Sequence, residues 1–315
     1  MSPAFRIRCL TRWDELPPLW SDLARDGRAT PFQTRTFLAA WYATLGGEPG
    51  ASPLIVEAVR ESDGAPALLL PLVLQSRGGL RVIGFADGGI ADNNAPILGP
   101  ACPPDETAFQ PLWRAIRAAL PPADLIAFDK MPLAVGGRAN PLLAAAPWRP
   151  SALSAHPLVL PDSFEAYSRS RTTKFRKEQE RIWRVFTRSD GARFDMIADP
   201  AEAARLLDDI DRLQGARMRE LGVPFALDRP PYAAMYRRLV ADGLAAGEVA
   251  LGALTCNGET VGALLGVSDG RAVTLVRIAH AGGPWTNCSP GRLVIESMLM
   301  ALHARGVRRI DFSIG

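Results

Sequence analysis

Two related α/β units in tandem, each a mainly antiparallel mixed sheet flanked by helices, is the fold class that this sequence predicts. Three observations lead there. A chain of 315 residues is long for one core and suits two domains of about 150 residues each. One order of elements, a strand, two helices, three strands, a helix and a strand, runs through the first half and returns in the second. In the second run the strand candidates are separated by Asn-Gly and Asp-Gly, the strongest short hairpin signals. The expected division is 1–150 and 151–315.

The first run opens with the alternating strand "FRIRCL" and two helical stretches, Trp13 to Arg25 and Thr34 to Leu45. Strands follow at "PLIVEAVR", "APALLLPLVLQS" and "LRVIGFA", the first two joined through the turn "SDG". The helix "DETAFQPLWRAIRAAL" ends against Pro121 and Pro122, and "DLIAFDK" reads as a strand. After a Pro- and Ala-rich passage, "HPLVLPDS" leads into one long helix, Phe164 to Thr187, and then the strand "ARFDMIA". Helices at Pro200 to Glu220 and Pro231 to Ala245 precede the three strands "EVALGALTCNG", "ETVGALLGVSDG" and "RAVTLVRIAHAG". A helix from Pro290 to Arg305 stops at Gly306, and "VRRIDFSI" is the last strand.

Composition excludes several classes. With 48% hydrophobic and 22% charged residues the chain is a folded globular one, and no run of about 18 apolar residues suggests a membrane span. The N-terminus has no apolar signal core, so cytoplasmic residence is expected. Cys9, Cys102, Cys256 and Cys288 are scattered, with no paired spacing for zinc or a disulfide framework; no metal is expected. The net charge of +3 does not announce a nucleic-acid binder. Lys130, Lys174 and Lys177 are the only lysines among 36 basic residues, so a GC-rich coding bias explains scattered arginines and only local clusters carry meaning.

The chemistry concentrates in "AHAGGPWTNCSPGRLV". A strand that runs through a loop into a helix N-terminus is an anion site, because unpaired amide hydrogens and the positive end of the helix dipole point the same way. Ser289 is a favoured N-cap, Pro290 suits a first turn, and Gly291 weakens the helix it stands in; an anion approaching the backbone there would account for the glycine. The stretch resembles the cofactor loop of the GNAT acyltransferases, a pattern Q/R-x-x-G-x-G/A between strand and helix that holds an acyl-CoA pyrophosphate. Gly291 falls at its last position, Ser289 at the earlier glycine and Thr286 at the Gln/Arg, so two of three positions depart from it.

A wider resemblance rests on "TPFQTRTFLAAWYATLGG", "LVLPDSFEAYSRSRTTKFRKEQERIWRVF" and "SPGRLVIESMLMALHARGVRRIDFSIG" in this order. Together they are similar to the CelD-like acetyltransferases, GNAT relatives associated with bacterial polysaccharide biosynthesis. The resemblance implies tandem GNAT-like domains, related in layout to the Fem aminoacyltransferases, with a non-catalytic first unit and an acyl-CoA-binding second unit. It implies acetyl-CoA or another acyl-CoA as co-substrate and an amine acceptor such as an amino sugar or glycan precursor. The alternatives are transfer from aminoacyl-tRNA, or an inactive partner in polysaccharide assembly. The family's usual acidic, Tyr-Lys-bearing tail would follow Asp311 and Phe312 and return to the sheet; this sequence stops at Gly315, so either it is shortened or the edge of the last strand is left open.

For the site, the pyrophosphate is expected at Ser289, Gly291, Arg292 and Thr286, with the pantetheine arm along the "TLVRIAHA" strand and its Arg277. His280 at the end of that strand reads either as general base or as a hydrogen-bonded strand end, and Asp311 as a second catalytic residue or as surface. His156 and His303 have structural explanations. Glu296 reads as part of a solvated helix face, and Cys288 as a small buried filler. The cluster "SRSRTTKFRKEQERIWRVFTR", with Lys174 and Arg176, is a solvated basic face or a receiver of CoA phosphates, an anionic glycan or lipid headgroup, or a tRNA acceptor stem. Trp285 in the loop and Asp92 in "GGIADNNAP" complete the expected substrate contacts; turn formation is the other account of Asp92.

Overall fold

The computed structural model describes residues 4–314, and the chain divides into two compact units, Met1–Ser154 and Ala155–Gly315. No helix among the described residues is long and apolar enough to cross a membrane.

The first unit contains β1 (Phe5–Leu10), α1 (Leu19–Leu23), α2 (Arg35–Thr44), β2 (Ala51–Arg60), β3 (Pro66–Arg77), β4 (Leu80–Phe85), β5 (Ile97–Leu98), α3 (Glu106–Ala119), β6 (Leu125–Ile126), β7 (Ala134–Val135) and β8 (Arg138–Ala139). Its main sheet has the order β1-β2-β3-β4-β6, with β5 pairing β3. All of these pairs are antiparallel except β4 with β6. Alternating apolar residues of β2 and β3, among them Leu54, Val56, Leu68 and Leu70, pack against Phe109, Leu112 and Trp113 of α3. Two expectations are corrected. The stretch Trp13 to Arg25 is not one helix: Pro17 and Pro18 separate a 3-10 turn, Trp13–Glu15, from α1, because proline restricts the residue before it and brings no N–H. The strand "DLIAFDK" contracts to β6, which pairs only Val82 and Ile83.

The second unit runs β9 (Ala155–Val159), α4 (Phe164–Ser170), α5 (Thr173–Phe186), β10 (Arg193–Met196), α6 (Pro200–Leu221), α7 (Pro230–Ala246), β11 (Val249–Cys256), β12 (Glu259–Ser268), β13 (Ala272–His280), α8 (Pro290–Ala304) and β14 (Arg309–Ile314). Its sheet has the order β10-β11-β12-β13-β14-β9. Only β13 and β14 are parallel, joined as they must be by a crossover helix, α8.

Three features position the site. First, β13 and β14 pair through Ala272, Val273 and Thr274 alone, so β13 from Leu275 to His280 has β12 on one side and no strand on the other. A register shift at Leu265/Gly266 leaves Val276 as the extra residue where this separation begins, the local twist a bulge introduces. Second, the edge of β14 is not open as expected: β9 pairs it antiparallel. Third, the expected long helix is two. Ser163 caps α4 through the Ala166 amide, and Thr172 caps α5 by accepting from the Phe175 amide at 3.2 Å, so the chain turns at Arg171–Thr172 where a competing side-chain acceptor replaces the helical one.

Candidate functional site

Helix α8 begins beside the unpaired length of β13. Its N-cap Ser289 is left-handed, φ 49° and ψ 62°, and its side chain makes no capping bond. The expected side-chain cap is therefore absent. The Ser289 amide donates to Thr286 O at 3.2 Å, and the first helical bond is Leu293 N to Ser289 O at 3.0 Å. Pro290 has no N–H, so helix geometry leaves the amides of Gly291 and Arg292 without an intrahelical acceptor. The loop in front of them, with Thr286, Asn287 and Ser289, is exposed.

Gly291 has a reason the sequence did not suggest. A Cβ on it would lie 3.0 Å from His280 Cδ2. The ring of His280 thus rests on the helix where a side chain would otherwise stand. His280 pairs across the sheet with Gly262, whose own Cβ would lie 3.3 Å from Pro290 O; two glycines let the start of α8 settle onto the end of the sheet. His280 is exposed, and its Nδ1 lies 3.4 Å from the neighbouring carbonyl, Ala281 O. Ile278, two residues earlier on the same face, is also exposed.

The other expected residues are dispersed. Asp311 is the register partner of Thr274, six residues from His280 along β13, about 20 Å; the structure does not bring the two expected catalytic residues together. Asp311 Oδ1 accepts from the amides of His156 and Ser313, holding the irregularity between β14 and β9. Arg277 is 5% exposed and turned to the opposite face of the sheet. There its Nε and Nη2 donate to Gln214 Oε1 at 2.8 and 2.5 Å, its Nη2 lies 2.8 Å from Asp211 Oδ1, and its guanidinium sits 4.8 Å above the Tyr236 ring. Gln214 also donates to Ile278 O at 2.9 Å, so α6 satisfies one carbonyl of β13. The expectation that Arg277 holds the cofactor is corrected by this burial and these partners.

Arg292 does not reach into the loop either. Its Nη2 donates to Phe175 O at 3.2 Å and its guanidinium lies 4.1 Å from the Phe175 ring centroid, a cation–π contact; only its amide remains at the helix mouth. Thr286 Oγ1 donates to Gly283 O, and Trp285 packs on Phe186 with centroids 6.0 Å apart, as part of the core. Cys288 is buried, donates to Trp285 O, and its thiol is pushed up by burial, which suits a filler. Lys174 is exposed in the first turn of α5, and Arg176 Nη2 donates to Thr173 Oγ1. In the first unit, Asp92 lies next to a loop fixed by Lys130, which donates to Asp87 and to Ala91 O, and by Asn94, which donates to Asp87 and Asp129 O.

One group that sequence reasoning passed over stands out. Glu296, one turn after Arg292, is not on a solvated face. Its carboxylate accepts from Tyr167 Oη at 3.3 Å, and Arg171 Nη2 donates to the same phenol oxygen at 3.1 Å. Burial raises the Glu296 carboxyl above the usual range, against the Tyr167 hydrogen bond and the positive fields of Arg171 and Arg292. The Arg171 guanidinium covers the Tyr167 ring at 4.6 Å and lies 5.8 Å from that of Phe175. The signal available was the pair of caps, Ser163 and Thr172, which turn Tyr167 and Arg171 toward α8 by breaking the long helix.

Residues 173–315 match the family described as an acetyltransferase (GNAT) domain. No curated protein matches the chain. Among solved structures, that of FemX superposes with a TM-score of 0.65 at 10% identity, over 97% of this chain and 88% of FemX. A conserved protein of unknown function from Bacteroides thetaiotaomicron VPI-5482 superposes with a TM-score of 0.52 at 12% identity, covering 98% and 90% of the two chains. Most of the second unit is thus similar to a GNAT acetyltransferase domain, in a chain that shares the fold of FemX.

Proposed function

We propose that the protein is an acyltransferase that moves an acetyl or other acyl group from acyl-CoA to an amine, with the transfer confined to the second unit. The observation that carries this reading is a conjunction: the amides of Gly291 and Arg292 at an uncapped helix start, beside the length of β13 that β14 does not pair. The first suits a diphosphate, which gains from aligned N–H groups and the helix dipole. The second suits the amide-bearing pantetheine arm, which can add to a strand edge as a peptide does, with Ile278 and His280 beneath it. Acyl-CoA supplies an activated thioester. This chain's residues contribute the grip on the phosphates, the alignment of the arm along β13, and the exclusion of water by the apolar wall of α8.

The acceptor in this reading is an amine such as an amino sugar or polysaccharide precursor. An acidic one is favoured by the basic run of α5 and the turn after it, where Lys174, Lys177, Arg184 and Arg188 are exposed. Calorimetric titration with acetyl-CoA tests the proposal. Saturable binding that Gly291→Asp abolishes, in a variant that stays folded, is the expected result. No heat, and no rise in melting temperature at millimolar ligand, removes the acyl-CoA reading and leaves an inactive assembly partner.

A further inference from the structure

Glu296 is a half-buried titratable group to which the reading above gives no task. It sits in the second turn of α8, and the same core cluster that contains its partner Tyr167 contains Val273, Leu275 and Ile310, the residues around the point where β13 and β14 part. On α8 the carboxyl lies one helical turn beyond the proposed phosphate site, and its donor Tyr167 packs in the core that borders the parting of β13 and β14.

Its surroundings are unusual for a structural carboxylate. Two guanidinium groups, Arg171 and Arg292, are close enough to act on it electrostatically, yet among the described residues neither forms an ion pair with it, and its hydrogen bond comes from a neutral phenol. Both arginines are instead tied elsewhere, Arg171 to Tyr167 and Arg292 to the carbonyl of Phe175, and each keeps a buried Nε without a partner. A carboxylate taken out of water is ordinarily paired directly. One that must pick up and release a proton is better served by a single neutral donor and by charges at a distance.

We propose that Glu296 is the proton acceptor for the incoming amine, with Tyr167 and Arg171 as positioning residues that orient its carboxylate. The proposal rests on the acyl-CoA reading. An ammonium group entering the opening gives one proton to Glu296. The freed nitrogen lone pair attacks the thioester carbonyl, the C–N bond forms, and the C–S bond breaks with its electron pair going to sulfur. The second nitrogen proton passes to that sulfur, leaving amide and thiol, and Glu296 returns its proton to solvent. His280, exposed and lying against Gly291, is left to shape the phosphate site.

The groups that face Glu296 are Tyr167, Arg171 and Arg292, and they set the expected pH dependence. Activity should rise with pH as the carboxyl ionises. Thiol release from acetyl-CoA is measured across pH with glucosamine, lysine and spermidine, which are ammonium ions near neutrality, and with hydroxylamine, which is already neutral there. Glu296→Gln should lose about 100-fold on the ammonium substrates, lose the acidic limb, and keep hydroxylamine turnover and acetyl-CoA affinity. Tyr167→Phe removes a donor to the carboxylate, so the limb should move to higher pH, a shift that loss of packing alone does not produce. Glu296→Gln with an unchanged profile overturns the proposal. So does a wild-type protein that binds acetyl-CoA and releases no thiol with any of these amines. Failure to bind acetyl-CoA overturns the acyl-CoA reading beneath it.

Discussion

The ring of His280 lies against Gly291, with Cδ2 3.0 Å from the point where a Cβ would begin. That contact couples the end of β13 to the start of α8. Gly291→Ala would gain up to about 1 kcal/mol of helix propensity, but the new methyl must displace the ring. The expected outcome is near-unchanged stability with weaker acetyl-CoA binding, by about 10-fold (roughly 1.4 kcal/mol). In the His280→Ala background the methyl has room, so the same substitution should cost affinity little. Calorimetry on the four proteins of this cycle checks it; strictly additive losses would mean that the contact does not matter for binding.

Ser289 occupies a left-handed backbone position without the compensation of a side-chain cap. A non-glycine residue held there costs on the order of 1 kcal/mol, and glycine adopts it freely. Ser289→Gly should therefore raise stability by about 1 kcal/mol and leave acetyl-CoA affinity intact, because the amides of Gly291 and Arg292 are unaffected. Denaturant unfolding measures the first effect and calorimetry the second. A destabilised variant would show that the serine hydroxyl does something the hydrogen bonds around it do not reveal.

Strands and hairpins were legible from residues alone. The turns at Asn257–Gly258 and Asp269–Gly270 separate β11, β12 and β13 as expected, since those dipeptides favour tight turns of the right hand. The start of α8 was legible too, from Pro290. What escaped were effects that depend on neighbours distant in sequence. Arg277 reads as a strand residue open to a ligand, and only α6 and α7 reveal it as buried. Glu296 has the spacing of a solvated face until α4 closes over it. Thr172 carries the right chemistry for a cap, but a long amphipathic pattern ran through it, and periodicity does not register a one-residue break. The edge of β14 was unreadable because β9, its partner, comes about 150 residues earlier.

Arg277 joins β13 to α6 and α7 through Gln214, Asp211 and Tyr236. Replacing it with Met keeps the stem but leaves Asp211 facing an apolar group, and removing one partner of a buried pair costs about 3 kcal/mol. Asp211 is 20% exposed and also lies 3.5 Å from Arg237, so the loss should fall toward the lower end. Arg277→Met is expected to shift the urea midpoint downward, with Asp211→Asn recovering part of the loss in the double variant. Acetyl-CoA affinity, measured below the unfolding transition, should be retained; its selective loss would return Arg277 to the cofactor site.

Glu296 should be a stability cost at neutral pH, whatever it does in turnover. Burial raises its carboxyl above the ordinary 4.5, so the folded state binds this proton more tightly than the unfolded state does. The stabilising effect of the protonated form is complete below the unfolded value and fades as pH rises through the folded one. Above that window the fold carries a half-buried carboxylate that the field of Arg171 and Arg292 only partly offsets. Glu296→Gln removes the charge while keeping an acceptor for Tyr167, and should raise the melting temperature at pH 7 but leave it unchanged near pH 4. Measured alongside turnover, this separates two accounts of the residue. A structural carboxylate would weaken the protein when neutralised, whereas a carboxylate kept for proton transfer should leave it more stable and slower.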